Sequence, residues 1–549
     1  MSARAQRSRG LDAAVAAIDA EVTRRRADGS IPGLTIAVTD RERTLIERVY
    51  GDAEVAGGRP VEPDTLFEIG SIGKTFTALV VMQLVDEGRL RLDDPVVRHL
   101  PWFRVPRTGS SITVRHLLSH TAGITAGIDG TPEPTFQVWR LRDLWPGSGP
   151  GRRYHYSNVG YKALGLVIEA LEGQPYPEVI QRRILQPLGM ITSEPELTNA
   201  IRPRLAVGYE PARDDRVWFE GAPLRPATWL ETGTADGSVA STGADMAAFA
   251  RMILRGGETQ GGRLVRADAS DLMSTPVRAR GADGYGLGLI THEVAGHRYV
   301  GHTGGMVGYI AGMWCDPEAG LGAVVLQNGP GHSPFALTRV AMRAVAAARE
   351  GPDPATAGRH QAHHADEADP ALGRFAGAYV GPGGHAFRTH VASGSLTLVD
   401  GAGEVTLKDY GDAHFLVAHA AWDRALLSFD VDGGGAWHGT DRYVREGTAP
   451  ATLPEPSTAT RAIAGHYRSH DPWTTNFRVL LRGDTPWLTF TAPPDGFEDE
   501  QPLRPIRRGG FRVGDDPLGP ERLRFDTVID GRPTRAWLSG WDYYRVGEP

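Results

Sequence analysis

Residues 71–88 read SIGKTFTALVVMQLVDEG, and this stretch decides how the rest of the chain is organised. From Ile72 to Val85 apolar residues fall on most sides, among them Phe76, Leu79, Val80, Val81, Met82, Leu84 and Val85. That distribution predicts a buried helix rather than a surface one. Gly88 is placed to stop it. At the mouth of the helix Ser71 and Lys74 stand three residues apart, a spacing that puts both on one face with β-carbons about 5–6 Å apart. Ser71 is expected in the first turn, where the positive end of the helix dipole favours a developing oxyanion.

Lys74 is one of three lysines, with Lys162 and Lys408, among 59 basic residues. Arginine has taken the other positions, so Lys74 is expected to do something a guanidinium cannot. An amine can lose its proton near neutral pH when it is desolvated or placed beside another positive charge. A serine hydroxyl is a weak nucleophile until a neighbouring base takes its proton. The pair predicts an activated serine.

Two further groups fit that chemistry. Tyr156-Ser157-Asn158 follows the Pro/Gly-rich segment Pro146 to Gly151 and precedes an amphipathic run, Val159 to Leu171. A tyrosine at such a loop-to-helix junction can aim its phenol at the Ser71/Lys74 pair, and the Asn158 amide can hold a substrate carbonyl or orient the amine. His302-Thr303-Gly304-Gly305 follows the strand-like His297 to Gly301. Glycines there let a substrate backbone come close and leave the Gly305 amide as an oxyanion donor.

In this order and spacing the three elements resemble the SxxK, YxN and HxG motifs of the serine β-lactamase and penicillin-recognising family. The likeness is to the branch holding class C β-lactamases, D-stereospecific aminopeptidases and related esterases. Ile112 to Gly123 (ITVRHLLSHTAG) and Gly237 to Thr242 (GSVAST) are similar to further family segments, and the likeness spans about residues 11 to 350. It implies Ser71 as the acylated nucleophile, Lys74 and Tyr156 as the proton-transfer pair, and Asn158, His302, Gly304 and Gly305 as substrate contacts. By the same resemblance the Ser71 and Gly305 amides form an oxyanion hole. No metal and no organic cofactor is implied. One position departs from the β-lactamase pattern: His302 stands where those enzymes usually carry Lys, and an unperturbed imidazole is largely neutral at pH 7. The expectation therefore moves away from β-lactam or carboxypeptidase substrates toward amide or ester substrates without a required free carboxylate, and the resemblance puts small, D-amino-acid-containing amides or peptides first. Esterase, acyltransferase or peptide cyclase activity, and β-lactamase or non-turnover penicillin binding, remain as alternatives.

At 549 residues, 41% hydrophobic and 23% charged, the composition is that of a globular protein with room for several cores. A net charge of −7 gives no reason to expect nucleic acid or anionic membranes as partners. The single cysteine, Cys315, reads as a buried strand residue. Leu11 to Arg26 reads as an amphipathic helix rather than a signal-type apolar run, and no stretch of about 20 apolar residues exists to span a bilayer. Cytoplasmic residence is the expectation, with a small-molecule amide, peptide or ester as partner and a homo-oligomer possible.

The predicted fold class is α+β. A first helix leads into strands at Gly33 to Thr39 and Thr44 to Tyr50, joined by a hairpin. A long helical middle follows, then strands at Tyr285 to His292, His297 to Gly301, Ile310 to Cys315 and Gly322 to Gln327, and a closing helix from Phe335 to Arg349. This suits an antiparallel sheet flanked by helices with a helical lobe beside it, and a ligand cleft between them. We assign 1–350 to this unit, 351–370 to a linker, 371–447 to a β-barrel, 448–460 to a second linker and 461–549 to a second β-barrel. The barrels repeat: Phe375-Ala376-Gly377-Ala378-Tyr379 is echoed by Ile463-Ala464-Gly465-His466-Tyr467, about 88 residues later. Paired barrels follow the catalytic domain in the family's D-aminopeptidases, where a barrel loop shapes access; Asp471 to Asn476 and Pro493 to Glu500 are the candidates here.

Three other patterns have plainer readings. His292-Glu293 with His297 has the wrong spacing for a helical zinc motif. His360, His363, His364 and Asp366 read as a solvated linker run. A Ser-His-Asp triad through His116 or His120 lacks a nucleophile elbow.

Overall fold

The computed structural model describes residues 3–548 apart from 107–108, 128–132, 281–282, 351–369, 402, 412, 450–451, 493–497 and 508. His360, His363, His364, Asp366 and residues 493–497 of the second candidate loop thus lie outside the described residues.

Gly33–Asp40 and Thr44–Glu54 form the expected hairpin, and Leu321–Gln327 pairs with the other edge of Gly33–Asp40, Leu34 opposite Gln327. Tyr309–Asp316 and His297–Met306 extend the sheet outward, and further short strands bring it to nine, all antiparallel. The strands nearest the centre are buried on both faces, so they read as nearly continuous apolar runs. On one face lie the Ala3–Arg26 and Pro334–Glu350 helices, packed through Ile18, Val22, Leu337, Ala341 and Val345. On the other lie Gly243–Leu254 and the helical lobe.

The decisive stretch becomes a Gly70–Ile72 3-10 turn running into an α-helix, Gly73–Asp86. Ser71 is therefore in the tighter turn ahead of the α-helix, not in its first α-turn as expected. The cause is Gly70, whose φ of 52° no β-carbon has to tolerate. The helix buries Phe76, Leu79, Val80, Val81, Met82 and Leu84, and Phe76 stacks on Phe249 with centroids 4.1 Å apart. At roughly 1.5–3 kcal/mol for each large apolar side chain, this holds the helix as a rigid base for Lys74.

Two strand expectations need correction. Tyr285 to His292 is not one strand but two, Asp283–Tyr285 and Ile290–Val294. Gly288, at φ 93°, turns the chain between them so that its carbonyl accepts from Thr75 on the nucleophile helix at 2.8 Å. The strand begun at His297 does not stop at Gly301 but runs to Met306, carrying the His302 motif within it.

Gly377–Val380 to Asp441–Arg445 and Gly465–Arg468 to Trp541–Gly547 each close into an antiparallel barrel of eight strands. The repeat seen in sequence has a physical basis: Tyr379 donates to the Phe375 carbonyl and Tyr467 to the Ile463 carbonyl, each at 2.9 Å and each fully buried. The 209–226 excursion of the N-terminal unit meets both barrels. Val217 N bonds the Asp423 carbonyl in the first, and Asn476 Nδ2 in the second bonds the Asp214 carbonyl. Among the described residues no helix is long and apolar enough to cross a membrane.

Candidate active site

Lys74 is fully buried, and its Nζ lies 2.9 Å from Ser71 Oγ and 2.7 Å from the Asp236 carbonyl oxygen. The i, i+3 geometry accounts for the first contact; the second needs a chain segment 162 residues away. The Tyr156 ring lies beside the amine, its centroid 5.0 Å from Nζ. The ordinary helix start at Ser157, whose Oγ accepts from Gly160 N at 3.1 Å, fixes where Tyr156 leaves the loop and where Asn158 enters the helix.

Glycines set the other wall. Pairing with Ile290–Val294 ends at Gly301, so residues 302–306 have the Tyr309–Asp316 strand on one side and the nucleophile turn on the other. A β-carbon on Gly304 would collide with the Ile69 carbonyl, and one on Gly70 would stand 2.7 Å from Gly305 N. The turn and the strand are thus in backbone contact, with the Ser71 amide at that junction. A β-carbon on Gly305 would meet nothing within 4 Å; this is the open side, where a substrate backbone has room.

His302 lies in the interior of the site. It is buried, with Nε2 3.1 Å from Tyr285 Oη and Nδ1 against the Thr303 carbonyl. Burial, and secondarily the charge on Lys74, pushes it down to about 3, so the ring is neutral. A second neutral imidazole, His120, was considered from sequence only as a triad partner. It sits at φ 54°, accepts from Ser157 N at 3.0 Å, and is ringed by Tyr154, Tyr156, Tyr161 and Tyr285. Burial and the neighbouring Lys74 hold it well below the usual histidine range.

Sequence reasoning passed over Lys162, Asp236 and Glu521. Lys162 is 2% exposed; its Nζ donates to Gln137 Oε1 at 2.9 Å and lies 3.6 Å from Asp236 Oδ2. The scarcity argument that singled out Lys74 applies equally to Lys162 and could have found it. Asp471, from the candidate access loop of the second barrel, reaches the same place: it is fully buried, and it and Lys162 each bear on the other's ionisation. Its Oδ1 accepts from Trp473 N at 2.9 Å. Asp471 Oδ2 and Asp236 Oδ1 have no hydrogen-bond partner among the described residues. Burial pushes the Asp471 carboxyl up to about 6.

The remaining patterns resolve into ordinary contacts. His292 pairs with Asp283 and His297 with Asp316, so the two rings serve different carboxylates. His116 completes a capping box with Thr113. Cys315 is fully buried and its thiol is pushed up to about 12, an unreactive state. Asp28, Glu220 and His332 lie close enough together to share an ion, but His332 already bonds Asp28 at 3.0 Å and none of the three is among the residues described around Ser71.

Comparison with known proteins identifies relatives of this chain. The Beta-lactamase family profile matches residues 18–347. Penicillin-binding protein 4 of Amycolatopsis lactamdurans is 32% identical over 320 residues, 55% of this chain and 82% of that protein. Protein flp of Staphylococcus aureus is 34% identical over 191 residues, 33% of this chain; the match spans only 38% of that relative's length. Among solved structures, the octameric penicillin-binding protein homologue from Pyrococcus abyssi superposes with a TM-score of 0.58 at 25% identity, covering 87% of this chain and 98% of that one. A D-stereospecific amidohydrolase from Streptomyces sp. gives 0.49 at 27% identity over 59% of this chain and 96% of that one.

Proposed function

The chain belongs to the beta-lactamase family, and from that premise we propose that it is a cytoplasmic serine hydrolase cleaving small amide or peptide bonds beside a residue with a free ammonium group, in the manner of a D-aminopeptidase. The observation that carries the reading is the 2.9 Å approach of Lys74 Nζ to Ser71 Oγ in a fully buried niche.

Ser71 Oγ attacks the carbonyl carbon while its proton passes to the Lys74/Tyr156 pair. The oxyanion is received by the Ser71 and Gly305 amides. Tyr156 returns the proton to the leaving nitrogen as the C–N bond breaks, and water then cleaves the acyl-enzyme ester by the reverse route. Asn158 and the backbone of Gly304 and Gly305 hold the substrate; buried and neutral, His302 supports that strand and offers no charge for a substrate carboxylate. The preference for an ammonium is supported by the unpartnered carboxylate oxygens of Asp236 and Asp471. Both carboxylates are buried near Lys162, and a substrate ammonium would supply the partner these two oxygens lack.

The test is burst and steady-state hydrolysis of paired D- and L-alanine p-nitroanilides by wild type and Ser71→Ala, with p-nitrophenyl acetate as control. Ser71-dependent turnover favouring the D-anilide is expected. Ester turnover without anilide cleavage would move the activity to an esterase or, if an added amine captures the acyl group, an acyltransferase. A stable adduct without turnover would instead indicate a penicillin-binding role. The Pyrococcus abyssi homologue is described as octameric; we extend self-assembly to this chain, and light scattering tests it.

A further inference from the structure

The second barrel touches the catalytic lobe at a point apart from its access loop. Glu521, at the start of the Arg522–Ile529 strand, is 4% exposed, and one of its oxygens, Oε1, accepts from Ala126 N at 2.8 Å and meets His155 Nε2 at 2.7 Å. Its other oxygen accepts from Ser539 Oγ, which anchors the carboxylate to its own barrel. Because the Ala126 amide can only donate, Oε1 is an acceptor and the His155 Nε2–H donates to it.

Both partners of Glu521 bracket Tyr156. His155 is its chain neighbour, and His155 N also donates to the His120 carbonyl at 2.8 Å. The Ala126 carbonyl accepts from Asn158 N at 2.8 Å and from Val159 N at 3.2 Å, where the helix begins. One oxygen atom of the barrel therefore ties the residue before Tyr156 to the segment whose Ala126 carbonyl holds Asn158 and Val159. Charge-assisted bonds in a buried setting are the strong ones, and they are short here. The docking of this barrel segment does not depend on Glu521 alone: Arg153 pairs with Asp516 at 2.8 Å, and Gly147 packs so closely on Leu518 that a β-carbon there would collide with its carbonyl.

We infer that Glu521 is a positioning residue for Tyr156, so that the second barrel completes the catalytic site rather than merely covering it. The inference rests on the role given to Tyr156 above. Its consequence is that the proton-transfer step slows when Glu521 is removed, while substrate affinity and docking persist.

The experiment uses the full chain as wild type, Glu521→Ala, Glu521→Gln and, as docking control, Asp516→Asn. A fluorophosphonate probe reports the phosphonylation rate of Ser71 by intact mass, p-nitrophenyl acetate gives kcat and KM, and amide exchange reports residues 152–158. Glu521→Ala is expected to slow Ser71 labelling and kcat by about tenfold to a hundredfold with KM within about twofold, the scale of a misplaced general acid–base group. Glu521→Gln keeps an acceptor for both donors and is expected within about fivefold of wild type; Asp516→Asn is expected unchanged. Labelling of Glu521→Ala at the wild-type rate would overturn the inference, as would an equal loss in Asp516→Asn, which would mean docking alone matters. If wild type itself never labels at Ser71, the hydrolase reading fails; faster exchange across 152–158 in Glu521→Ala would then still support the pin, and unchanged exchange would refute it.

Discussion

Glu68 lies two residues before the nucleophile turn, pairs across to Ala240 and is 6% exposed. Burial alone raises its carboxyl from an ordinary 4.5 to about 8, so at neutral pH the folded protein keeps this proton and the unfolded chain releases it. Such a group supports full stability below about pH 4.5; as pH climbs toward 8 the unfolded state gains by ionising, and stability is lost. The span from 4.5 to about 8 corresponds to about 5 kcal/mol when complete, of which about 3.5 kcal/mol falls between pH 5 and 8. Glu68→Gln, neutral and of the same shape, removes the dependence. Calorimetry of both proteins across that range should show the variant's catalytic-unit midpoint gaining on wild type as pH rises, by about 5 °C at pH 8 for a unit of this size. A difference that stays constant with pH, or shrinks toward pH 8, would refute the assignment of a neutral buried carboxyl beside the site.

Ser71→Ala is expected to fold normally and lose activity, and Lys74→Arg to lose about a thousandfold or more in kcat, because a guanidinium stays protonated; an active Lys74→Arg enzyme would remove the proposed role of the amine. Gly304→Ala and Gly305→Ala make a contrasting pair: the first forces the Ile69 carbonyl aside and should lower both the melting temperature and kcat, whereas the second meets no atom and should spare stability while raising KM by filling the substrate's path, a split read from melting and kinetics together. For a substrate with a free ammonium, kcat/KM should rise as pH passes about 6, where the Asp471 carboxyl ionises in the free enzyme. Asp471→Asn should abolish that limb and leave p-nitrophenyl acetate turnover little changed.

Much of this candidate site was legible in residue order. The scarcity of lysine drew attention to Lys74, helical spacing placed it beside Ser71, and loop-to-helix and glycine signals located Tyr156, Asn158 and Gly304-Gly305. The same scarcity marks Lys162, but what its amine faces, Asp236 and Asp471, is decided only by the tertiary structure. His302 illustrates the opposite limit. Its identity suggested a neutral group, but its burial against Tyr285 depends on which face of the strand meets the aromatic cluster.

Sequence alone determined much of the local geometry: the buried nucleophile helix and its glycine stop, most of the strand runs and the repeated barrel entry. Each of these depends on the 3.6- and 2-residue periods of the backbone and on glycine's freedom, which act over a few neighbours. Tertiary structure decided what meets what: the Asp236 carbonyl on Lys74 and the Glu521 carboxylate on His155, 162 and 366 residues away respectively. Such contacts follow from how whole elements pack, and packing answers to the shapes and desolvation of all the surfaces involved, which no local pattern encodes.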